Sequence, residues 1–101
     1  MNIEWVEIID GVKAVHTGES MYYYGAFGCK RIEIIRYFDA KTGLRFYTNC
    51  DSTERANEVI EKMAAEGRRM IIGPKAPWLS PDGRSLIRNR TKTAVGVYFA
   101  D

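Results

Sequence analysis

The sequence predicts an α+β fold: a single domain over residues 1–101, with a mostly antiparallel β-sheet and one α-helix (about 52–66) packed on one face. Two observations lead to this prediction. Runs rich in β-branched and aromatic residues are separated by turn signals, and one stretch carries apolar residues at helical spacing. The predicted order is β-β-β-β-α-β-β-β, and hairpin-type connections favour an antiparallel sheet. A chain of 101 residues with 46% hydrophobic residues is long enough for one modest core.

The first two strands are predicted at residues 3–9 and 12–16, on either side of Asp10-Gly11. This dipeptide favours a two-residue hairpin, because the turn needs positive φ and glycine supplies it without strain. The next stretch, 17–29, holds three glycines and four aromatic residues, and is predicted to be a loop, either without regular structure or with a short extended piece at Met21–Tyr24.

A second hairpin is predicted between residues 30–38 and 44–50, across the turn sequence DAKTG. Pairing Phe38 with Leu44 would set Cys50 opposite Ile32, three residues from Cys29. The alternation of side chains would then set Tyr37 and Tyr47 together on the face away from the helix.

The same segment, RYFDAKTGLRFYTN (36–49), is similar to a hairpin in DDE-type transposases of insertion elements. The likeness covers this hairpin and rests mostly on turn residues. It comes without a matching acidic catalytic triad, so it implies a hairpin and no activity.

The helix is predicted within residues 51–67, with Asp51 or Ser52 as its cap and Gly67 just past its end. Its apolar stripe consists of Ala56, Val59, Ile60, Met63 and Ala64. Further strands are predicted at residues 68–73, 85–90 and 93–100, with the last two either joined by a tight turn near residues 89–92 or continuous as one long bent strand. The terminal strand is a candidate edge strand, which leaves a monomer and a homodimer through this strand both open.

The net charge of +2 conceals an uneven distribution. Residues 1–66 hold 8 Lys/Arg against 11 Asp/Glu, whereas residues 67–92 hold 7 Lys/Arg and Asp82 as the one acidic residue. Such clustering of like charges is typical of a contact surface or a solvated edge.

Composition argues against several classes of function. One histidine and two cysteines in no recognised spacing predict no metal site, and no phosphate-cradling loop is present. Catalysis would require His16 to meet Cys29 or Cys50 in a cleft. We expect no enzyme activity and no cofactor. The chain carries no run of about 18 apolar residues and no signal-peptide pattern, so we expect no membrane contact and a cytoplasmic location.

The leading interpretation is a small protein-binding domain, an inhibitor, adaptor or regulator, of the size and style of phage and mobile-element proteins. Trp78, between two prolines, would be its apolar anchor, with arginines beside it to meet an acidic or nucleic-acid-binding surface of a protein partner. The predicted contact residues are Trp78, Arg84, Arg88, Arg90 and Lys92, with Tyr22, Tyr23 and Tyr24 as a second patch.

The alternative is a nucleic-acid-binding domain that contacts backbone phosphates through residues 68–92. In an extended strand Arg88, Arg90 and Lys92 would project from one face at intervals of about 7 Å. The residues predicted for this role are Arg68, Arg69, Lys75, Arg88, Arg90, Lys92, Tyr37 and Tyr47. A plainer explanation is that Trp78 covers the open end of the sheet while the cations protect an edge strand.

Overall fold

The computed structural model describes residues 6–26, 28–80 and 85–101, except the side chains of residues 23, 30 and 32. It confirms the α+β class, with antiparallel sheets and, among these residues, a single helix packed on one of the sheets. In chain order the elements are β1 Val6–Ile9, β2 Val12–Gly25, β3 Gly28–Asp39, β4 Phe46–Cys50, α1 Thr53–Ala65, β5 Met70–Gly73, β6 Trp78–Leu79, β7 Leu86–Ile87 and β8 Val95–Phe99.

The first sheet has the order β1-β2-β3 and begins with the predicted hairpin. Asp10 (φ 51°) and Gly11 (φ 82°) both take positive φ, as a two-residue hairpin turn requires. The pairing of Ile9 with Val12 closes this turn.

The loop predicted over 17–29 is wrong, because β2 continues to Gly25 and β3 begins at Gly28, whereas the alternative of an extended piece at Met21–Tyr24 is confirmed as part of β2. The glycines do not stop the strands: Gly18 (φ 78°) lies where the register shifts between His16 and Ser20, so it absorbs an irregularity. Beyond Gly18, the strand propensity of Met21–Tyr24 keeps the chain extended as part of β2. Residues 20–25 and 28–33, which we call the arm, form a two-stranded ribbon whose described side chains are all exposed.

The DAKTG turn forms as predicted, but its register is off by one residue. Phe38 pairs with Arg45 rather than Leu44, and β4 then leaves for a second sheet. Asp39 accepts a hydrogen bond from the Lys41 N–H at 2.8 Å, which adds a tighter turn inside the loop. Cys29 and Cys50 are therefore apart: Cys29 is exposed on the arm, and Cys50 is buried in the other sheet.

The second sheet has the order β4-β8-β5, so β8 is its central strand. The prediction of the terminal strand as an edge is wrong, because β8 hydrogen bonds to a neighbour on each side. Its sequence VGVYF is apolar on both faces, as suits a strand that is covered above and below. The strand predicted at 85–90 shortens to β7, which pairs with β6.

Helix α1 covers one face of this second sheet. The Ser52 side chain accepts the Arg55 N–H at 3.2 Å and caps the helix, and Gly67 (φ 82°) follows its end. The core beneath the helix consists of Cys50, Ala56, Met70 and Val97, with Val59, Ile60, Met63, Val95 and Phe99 packed against it.

The opposite face is built around Tyr98, which is fully buried. Its hydroxyl donates to the Pro74 carbonyl at 2.6 Å, and its ring packs edge-on to Phe46, which in turn packs against Tyr37 of β3. A Cβ at Gly73 would lie 2.7 Å from the Tyr98 ring, so this position requires glycine. Tyr98 thereby joins the two sheets and fixes the segment that leads to β6.

Candidate protein-interaction surface

The hairpin formed by β6 and β7, which we call the Trp78 hairpin, rises from a fixed base. Ala76 and Pro77 are buried, and the Asn49 side chain both donates to and accepts from the Ala76 backbone, at 3.0 and 2.9 Å. Just after β7, Asn89 is 7% exposed. The Lys75 ammonium donates to the Thr91 carbonyl at 2.6 Å and ties the two sides together. Buried residues and these hydrogen bonds therefore hold the base of the hairpin in place.

Trp78 points outward from this base. It is 52% exposed, and its direct cross-strand partner Ile87 is 46% exposed. Directly paired residues share one face of a ribbon, so the two side chains form one apolar patch. The explanation in which Trp78 plugs the end of the sheet does not match this exposure.

Three predicted basic residues follow the Trp78 hairpin. Arg88 forms an ion pair with Asp10 at 3.4 Å, and Arg90 and Lys92 are exposed. The regular strip predicted for them is wrong, because residues 88–94 lie outside the strands and buried Asn89 separates Arg88 from Arg90. Arg84 lies outside the described residues.

The predicted tyrosine patch lies on the arm rather than in a loop. Tyr22 and Tyr24 are 61% and 77% exposed, and they pair with Arg31 and Cys29 of β3. The side chain of Tyr23 lies outside the described part of the chain. The patch belongs to the first sheet, whereas the Trp78 hairpin is a separate two-stranded sheet.

The structure does not bring Tyr37 and Tyr47 together on one sheet face, so this prediction is wrong. Tyr37 is half-buried against Phe46, and burial raises the pKa of its phenol. Tyr47 follows Phe46 but lies on the helix side of β4, where its ring packs against Phe99 at 5.3 Å. The off-by-one register and the division into two sheets cause the difference.

Several cations of the alternative set already have partners within the chain. Arg68 pairs with Asp101 at 2.9 Å and stacks over Phe99, and this hydrogen bond lowers the pKa of the Asp101 carboxyl. Lys75 is bound to the Thr91 carbonyl, and Arg88 to Asp10. Arg69, Arg90 and Lys92 are the exposed members of the set for which the described residues offer no carboxylate partner.

The possible nucleophiles lie apart from the histidine. His16 contacts Glu33 at 2.7 Å and pairs with Ile35, whereas Cys29 pairs with Tyr24 near the tip of the arm. Ile35 lies six positions beyond Cys29 along β3, which corresponds to about 20 Å. Burial raises the pKa of the Cys50 thiol beneath the helix. Within residues 6–26, 28–80 and 85–101, no group of three or more His, Cys, Asp or Glu is placed to hold a metal ion.

No family model, curated protein or solved structure matches this chain. In the described part of the chain, no helix has the length and apolar character needed to cross a membrane.

Sequence reasoning did not identify Ile87, although it lies within the predicted strand 85–90. Its exposure depends on the shortness of β7, which no local pattern indicates. Arg45 and Phe99 were also not singled out, because their stacking at 4.5 Å joins residues 54 positions apart.

Proposed function

We propose that this chain is a non-enzymatic protein-binding domain, an inhibitor, adaptor or regulator, and that the Trp78 hairpin is the centre of its contact surface. One observation carries the proposal: the exposed pair of Trp78 and Ile87 stands on a base fixed by buried residues. An exposed apolar patch on a folded domain is a common mark of an interaction site.

The physical advantage of this arrangement is preorganisation. A hairpin held at its base by the Asn49–Ala76 and Lys75–Thr91 hydrogen bonds loses little conformational entropy when a partner binds. Tryptophan supplies a large apolar area with few rotatable bonds, and it is enriched among the residues that dominate interface energies.

The charges beside the hairpin define the chemistry of the partner. Arg90 and Lys92 are exposed, and none of the described carboxylates pairs with them. An acidic protein surface, including one shaped to hold or mimic nucleic acid, would supply the missing counter-charges. Electrostatic complementarity of this kind raises the association rate and sets the orientation of binding.

Direct binding of nucleic acid through residues 68–92 is the second candidate, supported by the exposed Arg69, Arg90 and Lys92. This candidate is weakened because Arg68, Lys75 and Tyr37 already contact other residues of the chain. The exposed apolar patch of Trp78 and Ile87 favours a protein partner.

The free exposed thiol of Cys29 suits a reducing compartment. This supports a cytoplasmic location for the proposed activity.

The first prediction concerns Trp78→Ala. Because Trp78 is half exposed, we expect the free energy of unfolding to change by about 0.5 kcal/mol or less. Loss of a tryptophan anchor should weaken capture of a host protein by about 30-fold, the equivalent of about 2 kcal/mol. Quantitative affinity capture from lysate with mass spectrometry measures this effect, and Ile72→Ala, an exposed apolar residue on β5, is the matched control.

Two results would contradict the proposal. Unfolding of the Trp78→Ala variant would make Trp78 a structural residue. Tight binding of labelled single- or double-stranded oligonucleotides, falling steeply across a salt series and unaffected by Trp78→Ala, would support the nucleic-acid candidate instead.

A further inference from the structure

A groove of about 650 Å³ runs between helix α1 and strand β4, on a different part of the molecule from the Trp78 hairpin. Val59 and Met63 supply its apolar floor, and Tyr47, 45% exposed, supplies an aromatic wall. The remaining lining residues are Thr48, Arg55, Glu58, Lys62 and Glu66. The helical members recur every three to four residues, so the groove follows one face of α1 along nearly its whole length.

The strand beside the groove is the edge of its sheet. β4 hydrogen bonds to β8 within the second sheet, and its link to β3 is a single bridge between Phe38 and Arg45, before β4 begins. In the part of the chain that the structure describes, the outer side of β4 beyond this bridge pairs with no strand. Unpaired backbone N–H and C=O groups on a strand edge are a template for an added strand.

The dimensions of the groove fit an extended peptide. The helix face from Arg55 to Glu66 spans about 17 Å at a rise of about 1.5 Å per residue, which matches about five residues of strand. Side chains of an added strand alternate, so two or three of them would enter the groove and meet Val59 and Met63. A helical ligand would leave the backbone groups of the β4 edge without partners.

The charge at one end of the groove defines the peptide further. Arg45 stacks over the Phe99 ring at 4.5 Å, and the same ring packs against Tyr47 at 5.3 Å. Arg68 also stacks on Phe99 but is neutralised by Asp101. None of the described carboxylates pairs with Arg45, whereas Arg55 on the groove rim is bound by Glu58 at 2.6 Å. Arg45 therefore supplies a cation without a described carboxylate partner beside the Tyr47 end of the groove, just outside the lining, in which Lys62 and Glu66 carry opposite charges.

We infer that this groove is a second binding site, which takes an extended segment of a partner protein as an added strand beside β4. The segment carries apolar side chains at alternate positions and a carboxylate, from Asp, Glu or a chain terminus, at the end that meets Arg45. This site does not depend on the Trp78 hairpin, so either proposal stands if the other fails.

The test uses a phage-displayed library of random heptapeptides, selected against the full chain. We expect enrichment of sequences with alternating apolar residues and an acidic residue near one end. A synthetic peptide of the enriched sequence should bind the Arg45→Glu variant at least tenfold more weakly by fluorescence anisotropy. Replacing the acidic residue of the peptide by lysine should restore binding to that variant. Arg69→Glu, which removes an exposed arginine that does not line the groove, and Trp78→Ala should each leave the affinity unchanged.

A second measurement keeps the inference testable if Arg45→Glu does not fold. In the wild-type chain, the peptide should shift the backbone amide resonances of residues 47–50 and of residues 55–66, which comprise most of α1 and its C-cap. Failure of the library to enrich alternating sequences would overturn the inference. So would amide shifts confined to the Trp78 hairpin, or equal affinity for wild type and a folded Arg45→Glu variant.

Discussion

At the scale of single residues, Tyr98 determines the arrangement most directly. Its ring lies between Gly73 and Phe46, and its hydroxyl satisfies the carbonyl of Pro74 at the start of the segment that carries Trp78. A tyrosine phenol is neutral at physiological pH, and burial raises the pKa of Tyr98 further, so it remains a donor over an even wider range. Together with the Asn49–Ala76 and Lys75–Thr91 hydrogen bonds, this buried bond helps to fix the position of the proposed interaction surface.

Tyr98→Phe removes this donor and leaves a partly buried carbonyl without its partner. We expect a loss of about 1–3 kcal/mol in the free energy of unfolding, measured by urea denaturation. Tyr47→Phe is the matched control, because Tyr47 is exposed and no described hydrogen bond involves its hydroxyl. Equal stability of the two variants would show that the Tyr98 hydroxyl contributes nothing to the fold.

The two cysteines should differ in reactivity because they differ in burial. Cys29 is exposed on the arm, whereas Cys50 is 6% exposed, and burial raises the pKa of its thiol. Because the thiolate is the reactive form, Cys29 should react quickly with a disulfide reagent at pH 8.

Cys50 should react at the rate of unfolding, and addition of urea should bring both thiols to the same rate. Mass spectrometry of the labelled chain separates the two sites. Rapid labelling of Cys50 in the native state would contradict its placement beneath α1.

At the scale of elements, helix α1 shows the closest agreement between sequence and structure. Ser52, one of the two predicted caps, and the terminal Gly67 are local signals within 17 residues, and both lie where the pattern predicted them. Of the predicted apolar stripe, Ala56, Val59, Ile60 and Met63 pack into the core, whereas Ala64 is exposed.

The Ser52 cap contributes a measurable part of the stability of the fold. Ser52→Ala should cost about 1 kcal/mol, measured by thermal denaturation, whereas Thr53→Ala one residue later should cost less because Thr53 is not the cap. A reversal of this order would place the helix start at another residue.

The strands show where sequence reasoning fails. Turn chemistry located the Asp10-Gly11 and Asp39–Gly43 turns correctly, because each depends on positive φ over a few residues. The same reasoning treated Gly18, Gly25 and Gly28 as loop residues, although in the structure they accompany a register shift and the tip of the arm. In the local sequence, a glycine at an irregularity within a strand cannot be distinguished from a glycine that ends a strand.

The register of the strands and their division between sheets also could not be predicted from the sequence. The division into two sheets separated Cys29 from Cys50 and, with the one-residue difference in pairing at Phe38, sent Tyr37 and Tyr47 to different sides of β4. The central place of β8 depends on pairing with β4, more than 40 residues earlier. The exposure of Trp78 was left open by the sequence, because Asn49 fixes its base from 27 positions away.

At the scale of the whole molecule, the chain divides into a packed body and a projecting arm. The second sheet, α1 and the base of the first sheet share buried side chains such as Val12, Ala14 and Tyr98. On the arm, Met21, Tyr22 and Tyr24 are more than half exposed. A two-stranded ribbon with exposed faces contributes little apolar burial, so the stability of the body should not depend on it.

This division predicts the effect of shortening the arm. Met21 and Ile32 are directly paired, so residues 22–31 can be replaced by Asn-Gly, which favours a two-residue hairpin turn. We expect the shortened chain to keep its thermal midpoint within about 4 °C, the equivalent of a change of about 1 kcal/mol or less. It should also capture a partner that binds the Trp78 hairpin as well as wild type does. Val97→Ala, which truncates a fully buried residue of the central strand, provides the contrast and should lower the midpoint well beyond that range. If the shortened chain unfolds, the arm is part of the folding unit. If it folds but no longer captures the partner, the tyrosines of the arm rather than Trp78 form the principal contact.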